Sequence, residues 1–362
     1  MRCVLRLLPV VFTLFVTPAT SAATLLVANK SEATVSLFDL PTAQLRATLP
    51  TGAGPHEVAV SPDGQRALVT NYGTRETPGN SLTVVDVPGA EVIATIELAA
   101  GTKPHGVEWL DKQRAVVTAE GTRSLLVVDV DALEVTQTVA VDQSVGHMVA
   151  VSTDLGRAYV ANIGSGTVSV IDLVAGRKIS DLSAGEGSEG IALAGNQEQL
   201  WVTNRAAGTV SVFDSGKLDK LADIPLPGFP IRAEADDPRG RVYVTIPQAD
   251  ALAVIDRDSR KELSRLQFDV PPDRSRRTLF GDMLPDSSIP IGVLLSGDGE
   301  SLFVAHSNSH VITVYDAQSL QRRATIPTGL EPDGMGWSPL DVAPGRHSLA
   351  RFFRPGSALR TE

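Results

Sequence analysis

Thr167-Val-Ser-Val-Ile-Asp172 is a phrase that the chain writes seven times. The other copies are Thr34-Val-Ser-Leu-Phe-Asp39, Ser81-Leu-Thr-Val-Val-Asp86, Ser124-Leu-Leu-Val-Val-Asp129, Thr209-Val-Ser-Val-Phe-Asp214, Ala251-Leu-Ala-Val-Ile-Asp256 and Val311-Ile-Thr-Val-Tyr-Asp316. Alternating β-branched residues that end in a turn-forming aspartate read as a strand leaving a sheet. Before each copy stands a second strand: Leu26-Val-Ala-Asn29, Leu68-Val-Thr-Asn71, Val116-Val-Thr-Ala119, Tyr159-Val-Ala-Asn162, Trp201-Val-Thr-Asn204, Tyr243-Val-Thr-Ile246 and Phe303-Val-Ala-His306. A third follows the aspartate, as in Leu45-Arg-Ala-Thr-Leu49, and a fourth precedes the turn Ser61-Pro-Asp-Gly64.

Four strands in a unit of about 40 residues, repeated seven times, predict an all-β fold: a seven-bladed β-propeller with four-stranded antiparallel blades around a channel. Nothing in the repeat reads as a helix. The first unit opens at its second strand, near Leu25, and the last ends after its first strand, Gly334-Met-Gly-Trp-Ser338. The C-terminal strand is therefore expected to complete the blade that the N-terminus begins, leaving no free sheet edge.

The N-terminus carries a separate signal. Arg2 and Arg6, the apolar run Leu7 to Val16 and the small residues Pro18 to Ala22 read as a cleaved signal peptide over 1–22. Ten apolar residues are too few to span a bilayer. The expectation is a periplasmic or secreted protein with no membrane span, its propeller over 23–341 and a flexible tail over 342–362. Cys3, in the leader, is the only cysteine, so the mature chain has neither disulfides nor a Cys-x-x-Cys-His haem attachment. A net charge of −10, or −12 without Arg2 and Arg6, argues against nucleic acid as a partner. The chain is expected to be a monomer, and it has neither a Gly-x-Ser-x-Gly elbow nor a phosphate loop.

The phrases Val69-Thr-Asn-Tyr72, Val160-Ala-Asn162 and Pro55-His-Glu-Val-Ala-Val-Ser-Pro-Asp-Gly64 resemble the YVTN-type β-propeller repeat family. That family includes surface-layer and periplasmic propellers and is similar to lactonase-type and haem d1-binding propellers. The resemblance covers nearly all of residues 25–341. It implies the fold firmly and activity weakly, because one fold hosts many functions.

Aligning the units on the turn after the first strand and stepping back five residues gives His56, His105, His147, Glu189, Arg232, Ile291 and Asp333. Spacings of 49 and 59 mark insertions at 72–80 and 270–289; the others are 42 or 43. The position begins the innermost strand, so these residues are expected to ring one channel mouth. Three of the six histidines fall on it. Imidazole suits Zn, Cu, Fe and Ni. His56, His105, His147 and Glu189 are therefore the candidate metal ligands, and Glu189 and Asp333 the candidate catalytic bases. Arg232, with Asn71, Arg205 and His306 from loops at the same face, would contact a cofactor or anionic substrate. The same ring would also serve as a plain hydrated channel mouth, and His306 and His310 as solvated loop residues. The 270–289 insertion, with Arg274, Arg276, Arg277, Phe280 and Met283, reads equally as a lid or a surface loop.

Three functions stay open. One is binding of a ligand at the mouth, a transition-metal ion or a metallo-tetrapyrrole. The second is a metal-dependent lactonase-type hydrolase, and the third a non-catalytic scaffold for an envelope partner.

Overall fold

Each repeated aspartate folds back on the turn that follows it. Asp172 accepts hydrogen bonds from the Val174 and Ala175 amides at 3.0 and 2.8 Å. Asp214 does the same for Gly216 and Lys217 at 3.0 and 2.7 Å. These local bonds compete with continuation of the strand and turn the chain into a hairpin.

The computed structural model describes residues 23–343 apart from 41, 277, 279 and 280. The signal peptide expected over 1–22 and all but the first two residues of the tail expected over 342–362 lie outside the described residues. Seven four-stranded antiparallel sheets are arranged as blades. Numbered in chain order, their inner strands are Pro332–Ser338 in blade one, Pro55–Val60 in blade two, Pro104–Trp109 in blade three and Gly146–Ser152 in blade four. Ser188–Ala194, Ala233–Asp236 and Pro290–Leu295 serve blades five to seven. Among the described residues no helix is long and apolar enough to cross a membrane. The expectation of no helix is amended only by three single 3₁₀ turns, Lys30–Glu32, Asp237–Arg239 and Pro247–Ala249.

Closure is as read from the sequence. The C-terminal strand Pro332–Ser338 pairs antiparallel with Thr24–Asn29, matching Leu25 with Trp337 and Val27 with Met335. The core lies between blades: Leu82 and Ile96 of blade two pack against Val107, Trp109 and Val117 of blade three. Outer strands such as Arg177–Ser183 alternate exposed and half-buried residues, as expected of a sheet wetted on one side.

The threonine next to last in the second strand joins one blade to the next. Thr118 Oγ1 accepts from the Gly106 amide at 2.8 Å and donates to the His147 carbonyl of blade four at 2.6 Å. Thr203 repeats this with Gly190 and Ile231, both at 2.8 Å. The asparagine works inside its own blade. Asn162 and Asn204 each donate to two hydroxyls of the adjacent strand, at 2.9 to 3.1 Å. Both residues are therefore structural, and they fix where the inner strands meet.

Candidate functional site

The inner strands do not enter the sheet smoothly. Register shifts lie between Pro55 and Val58, Pro104 and Val107, Gly146 and Val149, Ser188 and Ile191, and Pro290 and Val293. Each is a β-bulge, which leaves residues unpaired and re-aims their side chains. His56, His105, His147, Glu189 and Ile291 all sit in these bulges. Asp333 is second in its strand and Arg232 immediately precedes its own. All seven are buried.

The structure brings the three histidines into one column. The His105 ring lies 4.0 Å from that of His56 and 3.5 Å from that of His147, centroid to centroid. Their electrostatics differ. His147 Nδ1 is 2.6 Å from Glu120 Oε1, and its Nε2 is 3.4 Å from Glu189 Oε1. Burial opposes protonation of this ring, but the two carboxylates outweigh it and raise its pKa. His105 is fully buried, and neither of its nitrogens has a hydrogen-bond partner. Burial, with His147, His56, Arg232 and Lys30 nearby, holds it well below the ordinary histidine range and therefore neutral. Burial also lowers His56, although Asp333 pulls the other way.

Of the two expected bases, neither is free. Glu189 faces Arg205 Nη1 at 2.6 Å, and both His147 Nε2 and Arg232 Nη1 at 3.4 Å. Burial would raise its pKa, yet these partners bring it down to about 2. Asp333 lies 2.5 Å from Lys30 Nζ, 3.3 Å from His56 Nδ1 and 3.9 Å from Arg232 Nη2. Burial is again overcome, by His56, Lys30 and Arg232, and its carboxyl stays well below the usual range. Both carboxylates expected as general bases thus sit in ion pairs, which favour their charged form.

Among the described residues, two groups have potential metal-donor atoms within 4.8 Å of one another: His56, Glu57 and His105, and His105, Glu120 and His147. Glu57 and Glu120 are in these groups, and Glu189, an expected ligand, is in neither. Glu57 was missed because strict alternation turns the residue after a ring position away from the channel; the bulge removes that alternation. Arg232 and Arg205 do point into the site, but Glu57 and Glu189 engage them.

Two expected cofactor contacts are buried and hydrogen-bonded within their own blades. Asn71 donates to Ser81 and Thr83 of its own blade, each at 3.0 Å. His306 is fully buried: its Nδ1 meets Ser288 Oγ at 2.7 Å and its Nε2 meets Thr313 Oγ1 at 2.8 Å. It fills the place that asparagine fills in other blades and is not a solvated loop residue. His310 accepts from the Glu331 amide at 3.1 Å. In the 270–289 insertion, Arg277 and Phe280 lie outside the described residues. Met283 is exposed, and Leu284 packs with Ile289 and Ile291 at the apolar side of the ring.

A cleft of about 670 Å³ opens above the column. Lys30, His56, Tyr72, Arg75 and Lys103 line it. The Tyr72 hydroxyl donates to Glu120 Oε2 at 2.6 Å, so one carboxylate links cleft and column.

Two protein families match parts of the sequence. One, described as the cytochrome D1 heme domain, matches residues 111–263, and a YNCE-like beta-propeller matches residues 19–116. The resemblance read from the repeat holds. Each match spans less than half the chain: the first runs from within blade three to blade six, the second from blade one into blade three. No curated protein is significantly similar to the sequence. Among solved structures, the fold is similar to the dihydro-heme d1 dehydrogenase NirN in complex with DHE (TM-score 0.61, 15% identity, covering 86% of this chain and 74% of that one). It is also similar to the periplasmic gluconolactonase PpgL of Pseudomonas aeruginosa (0.67, 19% identity, 88% and 99%). A functionally unknown protein from Desulfotomaculum acetoxidans gives 0.69 at 16% identity, again covering 88% and 99%. At these identities the likeness is one of fold.

Proposed function

We infer that this protein is an exported, periplasmic β-propeller that binds a transition-metal ion or metallo-cofactor in its channel mouth. The observation that carries the reading is His105. A buried polar group without a partner costs about 1–3 kcal/mol, and His105 has two such nitrogens between two histidine–carboxylate donor groups. A borderline-soft cation held by one of them would remove part of that cost. The donor set fits one, since imidazole and carboxylate together suit Zn, Ni, Fe or Cu. His105 would be the common ligand, with His56 and Glu57 on one side and Glu120 and His147 on the other. Glu120 also holds the His147 ring, the orienting contact that ligating histidines usually have.

The similarity to the cytochrome D1 heme domain supports a second form of the same reading, a metallo-tetrapyrrole in the cleft. There His56, which lines the cleft, would be the residue to hold its metal, because His105 has no exposed surface. A lactonase-type hydrolysis is served less well, since Glu189 and Asp333 are both tied up in ion pairs. A scaffold for an envelope partner would need neither donor group.

Elemental analysis and an absorption spectrum of protein purified from the periplasm test the reading, beside His105→Ala. One equivalent of metal or a visible chromophore, lost in His105→Ala at unchanged fold, is expected. Folded protein that takes up neither metal nor haem after reconstitution overturns it.

A further inference from the structure

We propose that the cleft above the histidine column is an oxyanion subsite, holding the carboxylate or phosphate of a small organic molecule between Lys30, Arg75 and Lys103. The inference rests on the reading of the mouth as a ligand site, but it uses residues outside the metal-donor groups.

The first observation is charge. The chain carries net charge −10, yet the cleft gathers three cations against one carboxylate, Glu331. That carboxylate already accepts from the Ser31 hydroxyl. Asp333 and Glu120, behind the lining, hold Lys30 and Lys103 in place, so Arg75 is the cation that an entering oxyanion meets first.

The second is convergence. Lys30 comes from the 3₁₀ turn of blade one, and Lys103 from the link into blade three. Arg75 sits on the 72–80 insertion, a hairpin closed by Gly73 pairing with Pro78 and by a 2.8 Å bond from the Thr74 amide to the Thr77 carbonyl. The insertion is what adds the third cation to the repeat.

The third is unused hydrogen-bonding capacity. Lys103 Nζ lies 4.4 Å above the Tyr72 ring and 3.9 Å from Glu120, and Lys30 Nζ meets Asp333. An ammonium has three donors, so each can also serve a ligand. Ala33, Ala53 and Pro78 supply an apolar wall, which suits an organic anion better than a bare ion.

Calorimetric titration of metal-free protein in chloride buffer, with citrate and separately with inorganic phosphate, tests this. Citrate is expected to saturate at one equivalent with a submillimolar Kd. The affinity should fall at least tenfold in Arg75→Ser/Lys103→Gln. It should stay unchanged in Lys112→Gln, whose exposed lysine lies beyond the other end of the same inner strand. Saturation by phosphate alone would keep the subsite and assign it a phosphorylated ligand. Heats that do not saturate with either anion, or binding that Arg75→Ser/Lys103→Gln leaves intact, overturn it. His105→Ala should keep citrate binding, so failure of the metal reading and failure of this one are separable.

Discussion

Arg232 and Glu57 meet across the channel, Nη2 to Oε1 at 2.7 Å, although 175 residues separate them. Blade six thereby touches blade two, and the mouth is spanned by a side chain. The same guanidinium reaches Glu189 and Asp333, and these three carboxylates raise its pKa against the effect of burial. Removing one partner of a buried network leaves the others uncompensated, which costs more than the network was worth. Arg232→Met is therefore expected to lower stability by about 3–5 kcal/mol in urea unfolding at pH 7. Its deficit should shrink as pH falls and the orphaned carboxylates take up protons. A loss below about 1 kcal/mol, the range of an exposed pair, would mean that the network is solvated.

The threonine between blades gives a sharper measurement. Thr118→Val keeps shape but leaves the Gly106 amide and the His147 carbonyl without a partner. The expected loss is about 1–3 kcal/mol. Thr136→Val, on an outer strand with a single 3.2 Å bond, is the control and should cost much less. Equal losses would remove the threonine from its role in joining blades.

Backbone approach around the ring has its own test. A Cβ on Gly334 would come 2.3 Å from the His56 carbonyl and 2.6 Å from Glu57 Cα. Gly334→Ala should therefore push blades one and two apart beneath the histidine column, at a cost in the overpacking range of about 1–3 kcal/mol. Thermal melts measure that cost. An unchanged melting temperature would show that the two inner strands can slide apart freely.

How much of this was legible follows from what repeats. Blade number, strand order and closure recur in every unit, so seven noisy copies reinforce one reading. The ring position was legible for the same reason, because the Pro-Asp-Gly type of turn fixes its register. The ion pairs were not. They depend on how far each bulge rotates two successive side chains, and on contacts between blades as distant as those of Arg232 and Glu57. His306 is different. Its alignment with Asn29, Asn71, Asn162 and Asn204 was in the sequence, and following that alignment would have placed it inside the blade.

That alignment yields the last prediction. An unfolded histidine takes up its proton near pH 6.5, whereas burial, helped by the charge of Arg322, holds His306 neutral down to about 3. Between those two pH values the unfolded chain binds the extra proton, so stability is full above pH 6.5 and is lost as pH falls toward 3. Each pH unit in that window weakens folding by roughly a factor of ten at this one site. Asparagine is the residue that four other blades use here, bonding the adjacent strand as His306 bonds Thr313. His306→Asn should fold with near wild-type stability at pH 7 and lose less between pH 7 and 5. Urea unfolding of both proteins at the two pH values measures the difference. The other histidines are common to both proteins and cancel, so parallel slopes would show that His306 is protonated in the fold.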